Sequence, residues 1–122
     1  MRWFKLRLFG TFEELRSQME VKFDGAETVF LRTNDGLNIH CYWLPCEDRI
    51  QDGPTMILCG PNAECAEQLQ FNKDLVELYL KNGINLLTYN YRGFGLSEGV
   101  PSPVKLKQDA EIVARYVRKR VG

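Results

Sequence analysis

The sequence predicts an α/β fold built on a mixed sheet: an antiparallel hairpin, a strand–helix–strand unit and a closing amphipathic helix. Three observations carry this. Two β-rich runs flank the turn-forming string Asn34-Asp35-Gly36. Two short unbroken apolar runs, Thr55 to Cys59 and Ile84 to Tyr91, flank a stretch whose apolar residues recur at the helical period. From Pro103 onward, apolar and basic residues segregate onto opposite faces of a helix.

Taken in order, Thr11 followed three positions later by Glu14 is a capping-box pattern, which predicts a short helix from Phe12 to Val21 with Leu15 and Met19 on one face. Residues 1–25 form an N-terminal segment and residues 26–122 the domain proper. Glu27 to Thr33 and Leu37 to Leu44 make the hairpin, with Gly36 supplying the positive φ that its turn needs. Pro45 to Pro54 is polar and glycine-containing, a connecting loop. Thr55 to Cys59 is a strand of the kind buried on both faces. Ala63 to Asn82 reads as one helix carrying Ala66, Leu69, Leu75, Val76, Leu78, Tyr79 and Leu80, stopped by Asn82-Gly83. Ile84 to Tyr91 is the second parallel strand, and the crossover between the two is expected to be right-handed. Arg92 to Pro103 is a glycine- and proline-rich loop over the carboxyl edge of the sheet, where functional groups usually gather. In the last helix, Pro103 to Arg120, the expected inner face is Leu106, Ala110, Val113, Ala114 and Val117, with Lys105, Lys107, Arg115, Arg118 and Lys119 outside.

Bulk properties narrow the functional classes. A chain of 122 residues holds one core. Sixteen Lys plus Arg balance sixteen Asp plus Glu, so no net field steers it to nucleic acid or anionic membrane. No apolar run reaches the length of a transmembrane helix, and a soluble protein is expected. The start, Met1-Arg2-Trp3-Phe4-Lys5-Leu6-Arg7-Leu8-Phe9, is basic and apolar. It lacks the Ser-rich tract of a transit peptide and the h-region of a secretion signal, which favours a packing or partner-contacting segment over mitochondrial targeting. Cys41, Cys46, Cys59 and Cys65 include no C-x-x-C pair, and the single histidine is His40. The expectation is reduced thiols in the cytoplasm or another reducing compartment, with no metal and no cofactor.

Four stretches keep a recognisable order: Asn34-Asp35-Gly36-Leu37-Asn38-Ile39-His40-Cys41-Tyr42-Trp43-Leu44-Pro45; Ile57-Leu58-Cys59-Gly60-Pro61-Asn62-Ala63-Glu64; Asn82 through Gly99, with its Tyr89-Asn90-Tyr91-Arg92-Gly93-Phe94-Gly95 centre; and Pro101-Ser102-Pro103-Val104-Lys105-Leu106-Lys107-Gln108-Asp109-Ala110. Together, over Val29 to Val121, they resemble the first half of an α/β-hydrolase. They are most similar to the branch of small serine hydrolases that includes the Bem46-like and protein-depalmitoylating α/β-hydrolase-domain proteins. The resemblance implies an incomplete, N-terminal part of that fold, with a family activity on esters, thioesters or amides. In the family, the loop after the third strand reads approximately His-Gly-Asn-Ala and one of its backbone N–H groups helps to stabilise an oxyanion. The equivalent here is Gly60, Pro61, Asn62 and Ala63 after Cys59, with cysteine in place of the histidine and a proline that removes one donor. A tight strand-to-helix turn kept only for the fold accounts for the same residues. Arg92-Gly93-Phe94-Gly95 resembles the family loop after the fourth strand and is read as structural, with Asp109 available to pair with Arg92 or cap the loop.

Gly95-Leu96-Ser97-Glu98-Gly99 matches the string of a nucleophile elbow, but its context rejects it. An elbow needs an apolar strand ending at its first glycine and a helix starting after the serine, whereas Ser97 lies mid-loop between Arg92-Gly93-Phe94 and Val100-Pro101-Ser102-Pro103. Chain order also fails: the fold's triad runs serine, acid, histidine, and His40 precedes every candidate. His40 is expected to be a satisfied or solvent-facing strand residue. Cys59 and Cys65, each near a helix start that could lower a thiol pKa, lack a base nearby in sequence. No catalytic residue is assigned.

The family topology implies the strand order first, second, fourth, third, with a fifth strand normally beside the third. Without that strand, Thr55 to Cys59 offers an apolar edge that another polypeptide should cover: a complementary half, a second copy or a larger assembly. Two functions follow. One is the N-terminal portion of a serine hydrolase, not competent as given; the other is a non-catalytic structural or interaction subunit on a degenerate hydrolase scaffold.

Overall fold

A computed structural model of the chain describes residues 12–59 and 65–122. The basic N-terminal segment read above as a targeting or contact element lies outside the described residues. Helix α1 spans Phe12–Lys22, strand β1 Glu27–Arg32, β2 Asn38–Leu44 and β3 Thr55–Leu58. A 3-10 helix, Ala66–Asn72, runs into α2, Lys73–Lys81; β4 is Asn85–Tyr89 and α3 is Pro103–Val121.

The four strands form one sheet in the order β1-β2-β4-β3, as expected. β1 and β2 pair antiparallel from Glu27↔Trp43 to Arg32↔Asn38. β2 pairs antiparallel with β4, and β4 pairs parallel with β3 from Thr55↔Asn85 to Leu58↔Thr88. The turn closes as its residues dictate. Thr33 N–H donates to Leu37 C=O at 2.8 Å, and Gly36 takes φ +84°, a conformation that costs a residue without Cβ nothing.

Alternation along the central strands sends side chains to two cores. On one face Tyr42, Leu44 and Leu86 pack with Met19 and Phe23 of α1, Ala66, and Val76 and Leu80 of α2. On the other, Ile39, Cys41, Trp43, Leu87 and Tyr89 pack with Val113 and Val117 of α3. Helices therefore cover both faces of the sheet, and β2 and β4 are buried almost throughout while β1 is half exposed.

Three expectations need correction. Strand β3, expected to be of the kind buried on both faces, has no fully buried residue and exposes Met56, because it stands at the edge of the sheet. The single helix expected over Ala63 to Asn82 is instead a 3-10 helix followed by α2, with the break at Asn72 (φ −125°, ψ 45°). At three residues per turn, Glu67 and Gln70 align on one side, and both are buried. On α3, Ala110 is exposed, and the buried position is the neighbouring Asp109. Apolar periodicity passes over a charged residue, but Asp109 occupies the inner stripe with Val113 and Val117 because it meets an arginine there.

Candidate functional site

The carboxyl end of β4 meets the start of the 3-10 helix and the loop that carries Ser97. Gly60, Pro61, Asn62 and Ala63, the oxyanion-loop candidates, lie outside the described residues. The residues flanking them are described. Cys59 is exposed and Cys65 is buried; the N–H of Ala66 donates to Asn90 Oδ1 at 2.7 Å, fixing the start of the 3-10 helix to the end of β4. No disulfide joins any of the four cysteines. Burial pushes the Cys41 thiol up to about 12, so it is inert as a nucleophile at neutral pH.

Ser97 is 5 % exposed. Its Oγ accepts the backbone N–H of His40 at 2.9 Å and donates to the carbonyl of Asn90 at 2.6 Å. These bonds extend the β2/β4 pairing past its last ladder position, where Asn90 N–H already donates to His40 C=O at 3.0 Å. The hydroxyl proton is thus committed to a carbonyl, and the imidazole of His40 makes no hydrogen bond to Ser97.

His40 is neither solvent-facing nor satisfied, contrary to expectation. It is fully buried, its two ring nitrogens have no hydrogen-bond partner among the described residues, and Nδ1 stands 3.6 Å from Oε2 of the fully buried Glu67. The ring stacks on Phe30 at 4.9 Å and lies 4.5 Å from Tyr42. Glu67 accepts the Tyr42 hydroxyl on Oε2 at 2.5 Å and the Asn90 carboxamide on Oε1 at 3.0 Å. Desolvation lowers the His40 pKa; the Glu67 charge opposes that shift and Arg16 reinforces it. Burial first, then the Glu67 carboxylate, raises the Tyr42 phenol, which therefore stays a donor.

Beside this cluster, Arg92 is 3 % exposed and forks onto Asp109 with two 2.7 Å bonds, Nε to Oδ2 and Nη2 to Oδ1. The same guanidinium reaches Asp35 of the hairpin turn at 3.0 and 3.2 Å. The Arg92 hydrogen bond, followed by that of Thr33, holds the Asp35 carboxyl well below the usual carboxylate range. Gly93 follows at φ +84°, where a Cβ would sit 2.9 Å from the Gly99 carbonyl oxygen, so the loop closes on itself only with glycine there.

Sequence reasoning found the Arg92–Asp109 pair but missed Asp35 as its third member, and missed Glu67, Asn90 and Tyr42 altogether. A faint signal existed for Glu67: a carboxylate between Ala66 and Leu69 in a stretch otherwise read as an inward-facing apolar helix. Among the described residues no group of metal-binding side chains assembles, and no helix is long and apolar enough to cross a membrane. Nor do the described residues bring an accessible hydroxyl or thiol against a base. What the cluster does is tie β2, β4, the 3-10 helix and the Ser97 loop together at the edge from which the oxyanion-loop candidates depart.

No protein-family model matches the chain. Over 95 residues it is 28 % identical to the uncharacterized protein YfhR of Salmonella typhi, covering 78 % of this chain and 32 % of the relative. It is 27 % identical to the α/β-hydrolase domain-containing protein WAV2 of Arabidopsis thaliana, covering 77 % of this chain and 30 % of that protein. Among solved structures, an esterase of Pyrococcus furiosus superposes with a TM-score of 0.63 at 20 % identity, over 84 % of this chain and 38 % of that one. An α/β serine hydrolase without a lid from Xanthomonas campestris gives 0.65 at 20 % identity, over 80 % and 46 %. The chain thus has part of an α/β-hydrolase fold, and it spans about a third of the length of the curated relatives it matches.

Proposed function

We propose that this chain is the N-terminal portion of a serine-hydrolase-like α/β-hydrolase, of the Bem46-like and depalmitoylase branch, and that it is not catalytically competent as given. In this reading the complete unit acts on esters, thioesters or amides. Gly60, Pro61, Asn62 and Ala63 contribute the oxyanion side, and the nucleophile, acid and histidine come from polypeptide that pairs with the β3 edge. The observation that carries the reading is the interior position of Ser97, whose two hydrogen bonds both go to backbone of the fold and not to a base. The sole histidine is buried with Nδ1 3.6 Å from Glu67, and its ring makes no hydrogen bond to Ser97.

A second reading is favoured by the Cys59-Gly60-Pro61 string, which departs from the family loop: a non-catalytic structural or interaction subunit on the same scaffold. One experiment addresses the shared premise. Purified chain is exposed to an activity-based fluorophosphonate probe and digested for mass spectrometry; no adduct at Ser97 is expected, whereas labelling that disappears in Ser97→Ala overturns both readings. The coding sequence downstream of Gly122 then separates them. An apolar strand leading into G-x-S-x-G, with a later acid and histidine, supports the hydrolase reading, and its absence supports the scaffold.

A further inference from the structure

A neutral imidazole needs one donor and one acceptor partner when it is taken out of water, and among the described residues His40 has neither. Leaving such groups unpaired is costly, so the site is stable only in so far as the surrounding packing compensates. Four elements press on the ring. Phe30 of β1 stacks against it, Tyr42 flanks it along β2, Glu67 approaches from the 3-10 helix, and the Arg16 charge acts on it from α1. Of these, Glu67 is the anionic acceptor. Its Oε2, however, is engaged by the Tyr42 hydroxyl at 2.5 Å, while His40 Nδ1 is held at 3.6 Å, just beyond hydrogen-bond reach. One carboxylate oxygen therefore has two groups near it on the same strand face, of which Tyr42 is bonded and His40 is not.

We infer that His40 and Tyr42 form a proton-operated switch on Glu67: with neutral His40 the carboxylate belongs to Tyr42, and proton uptake by His40 draws it onto Nδ1 as a buried ion pair. The move requires less than an ångström. It carries the start of the 3-10 helix with it, because Glu67 Oε1 is bonded to Asn90 Nδ2 and Asn90 Oδ1 holds the N–H of Ala66. Acidification thereby repositions the backbone at Ala66, the first residue of the 3-10 helix. The inference rests on the cluster alone and stands whether or not the chain is a hydrolase. Burial sets the working range. It holds the imidazole below its ordinary value against the pull of Glu67, so the switch operates on the acid side of an ordinary histidine.

Because His40 is the single histidine of the chain, its ring resonances need no assignment by mutation. The 122-residue protein, labelled with 13C and 15N, is titrated from pH 8 downward by NMR. The expected result is a His40 midpoint below that of an ordinary histidine, with the Ala66 and Glu67 amides and the Tyr42 ring shifting at that same midpoint. In Tyr42→Phe, which frees Oε2, the His40 midpoint moves up; in Glu67→Gln it moves down. A His40 titration that the Ala66 and Glu67 amides do not follow overturns the switch, and so does a midpoint unmoved in Tyr42→Phe or Glu67→Gln. Should either variant fail to fold, coincidence or divergence of the wild-type midpoints still decides.

Discussion

A buried charge pair is held by its geometry, and Arg92 shows why. The fork onto Asp109 satisfies two guanidinium nitrogens at 2.7 Å each, and Asp35 takes further donors on the more exposed side. Both Arg92 and Asp109 are almost wholly withdrawn from water. Removing one partner strands the other charge in the interior, which costs about 3–5 kcal/mol, whereas replacing both with apolar residues of similar size is close to neutral. Arg92→Met is therefore expected to lower stability by that amount in urea denaturation, and Arg92→Met with Asp109→Leu is expected to recover most of it. A single variant losing less than about 1 kcal/mol would mean that the pair is solvated and the clamp between loop and helix is unimportant. At this scale the sequence was readable where the partner lay on an adjacent element, as with Arg92 and Asp109. It was opaque where the partner came from far along the chain: nothing local marks Asp35 as a ligand of Arg92, or Glu67 as the neighbour of His40 and Tyr42.

Elements were legible to the extent that their signals were local. The Asn34-Asp35-Gly36 turn, the parallel β3/β4 pair and the start of α3 follow from turn chemistry, apolar runs and the amphipathic pattern that begins at Pro103, and all three stand where those signals put them. The 3-10 helix was not legible, because the tighter winding is imposed by polar partners, Asn90 on Ala66 and Glu67, and Leu15 C=O on Gln70, that apolar periodicity ignores. The cap of α3 gives a test at this scale. Ser102 Oγ accepts the Lys105 N–H at 3.3 Å, a long bond, and Pro103 at the first helical position needs no partner for a missing N–H. Ser102→Ala should cost about 0.5–1 kcal/mol, the low end for an N-cap, and Ser102→Gly only a few tenths. If thermal or urea denaturation finds Ser102→Ala as stable as wild type, the Oγ contact is incidental and the proline alone sets the helix start.

For the molecule as a whole, the decisive asymmetry is between the two edges of the sheet. β1 is shielded by charge: Glu27 pairs with Arg120 of α3 and Arg32 is exposed, both unfavourable to further strand addition. Among the described residues β3 has no such protection. Its sequence is Thr-Met-Ile-Leu, it pairs with β4 on one side, and among the described residues no strand meets its other side. A short apolar edge with free N–H and C=O groups recruits another strand, and a lysine pointing from that edge opposes the recruitment at little cost to the monomer when its side chain is already solvated. Met56 is 38 % exposed and meets that condition, unlike Ile57, which packs toward the α3 core. In sedimentation velocity the chain should therefore self-associate with rising concentration, and Met56→Lys should shift it to monomer while leaving the far-UV circular dichroism unchanged. A wild-type chain that stays monomeric through the highest attainable concentration would remove the argument that β3 needs a covering polypeptide, and with it the reason to look for a partner at this edge.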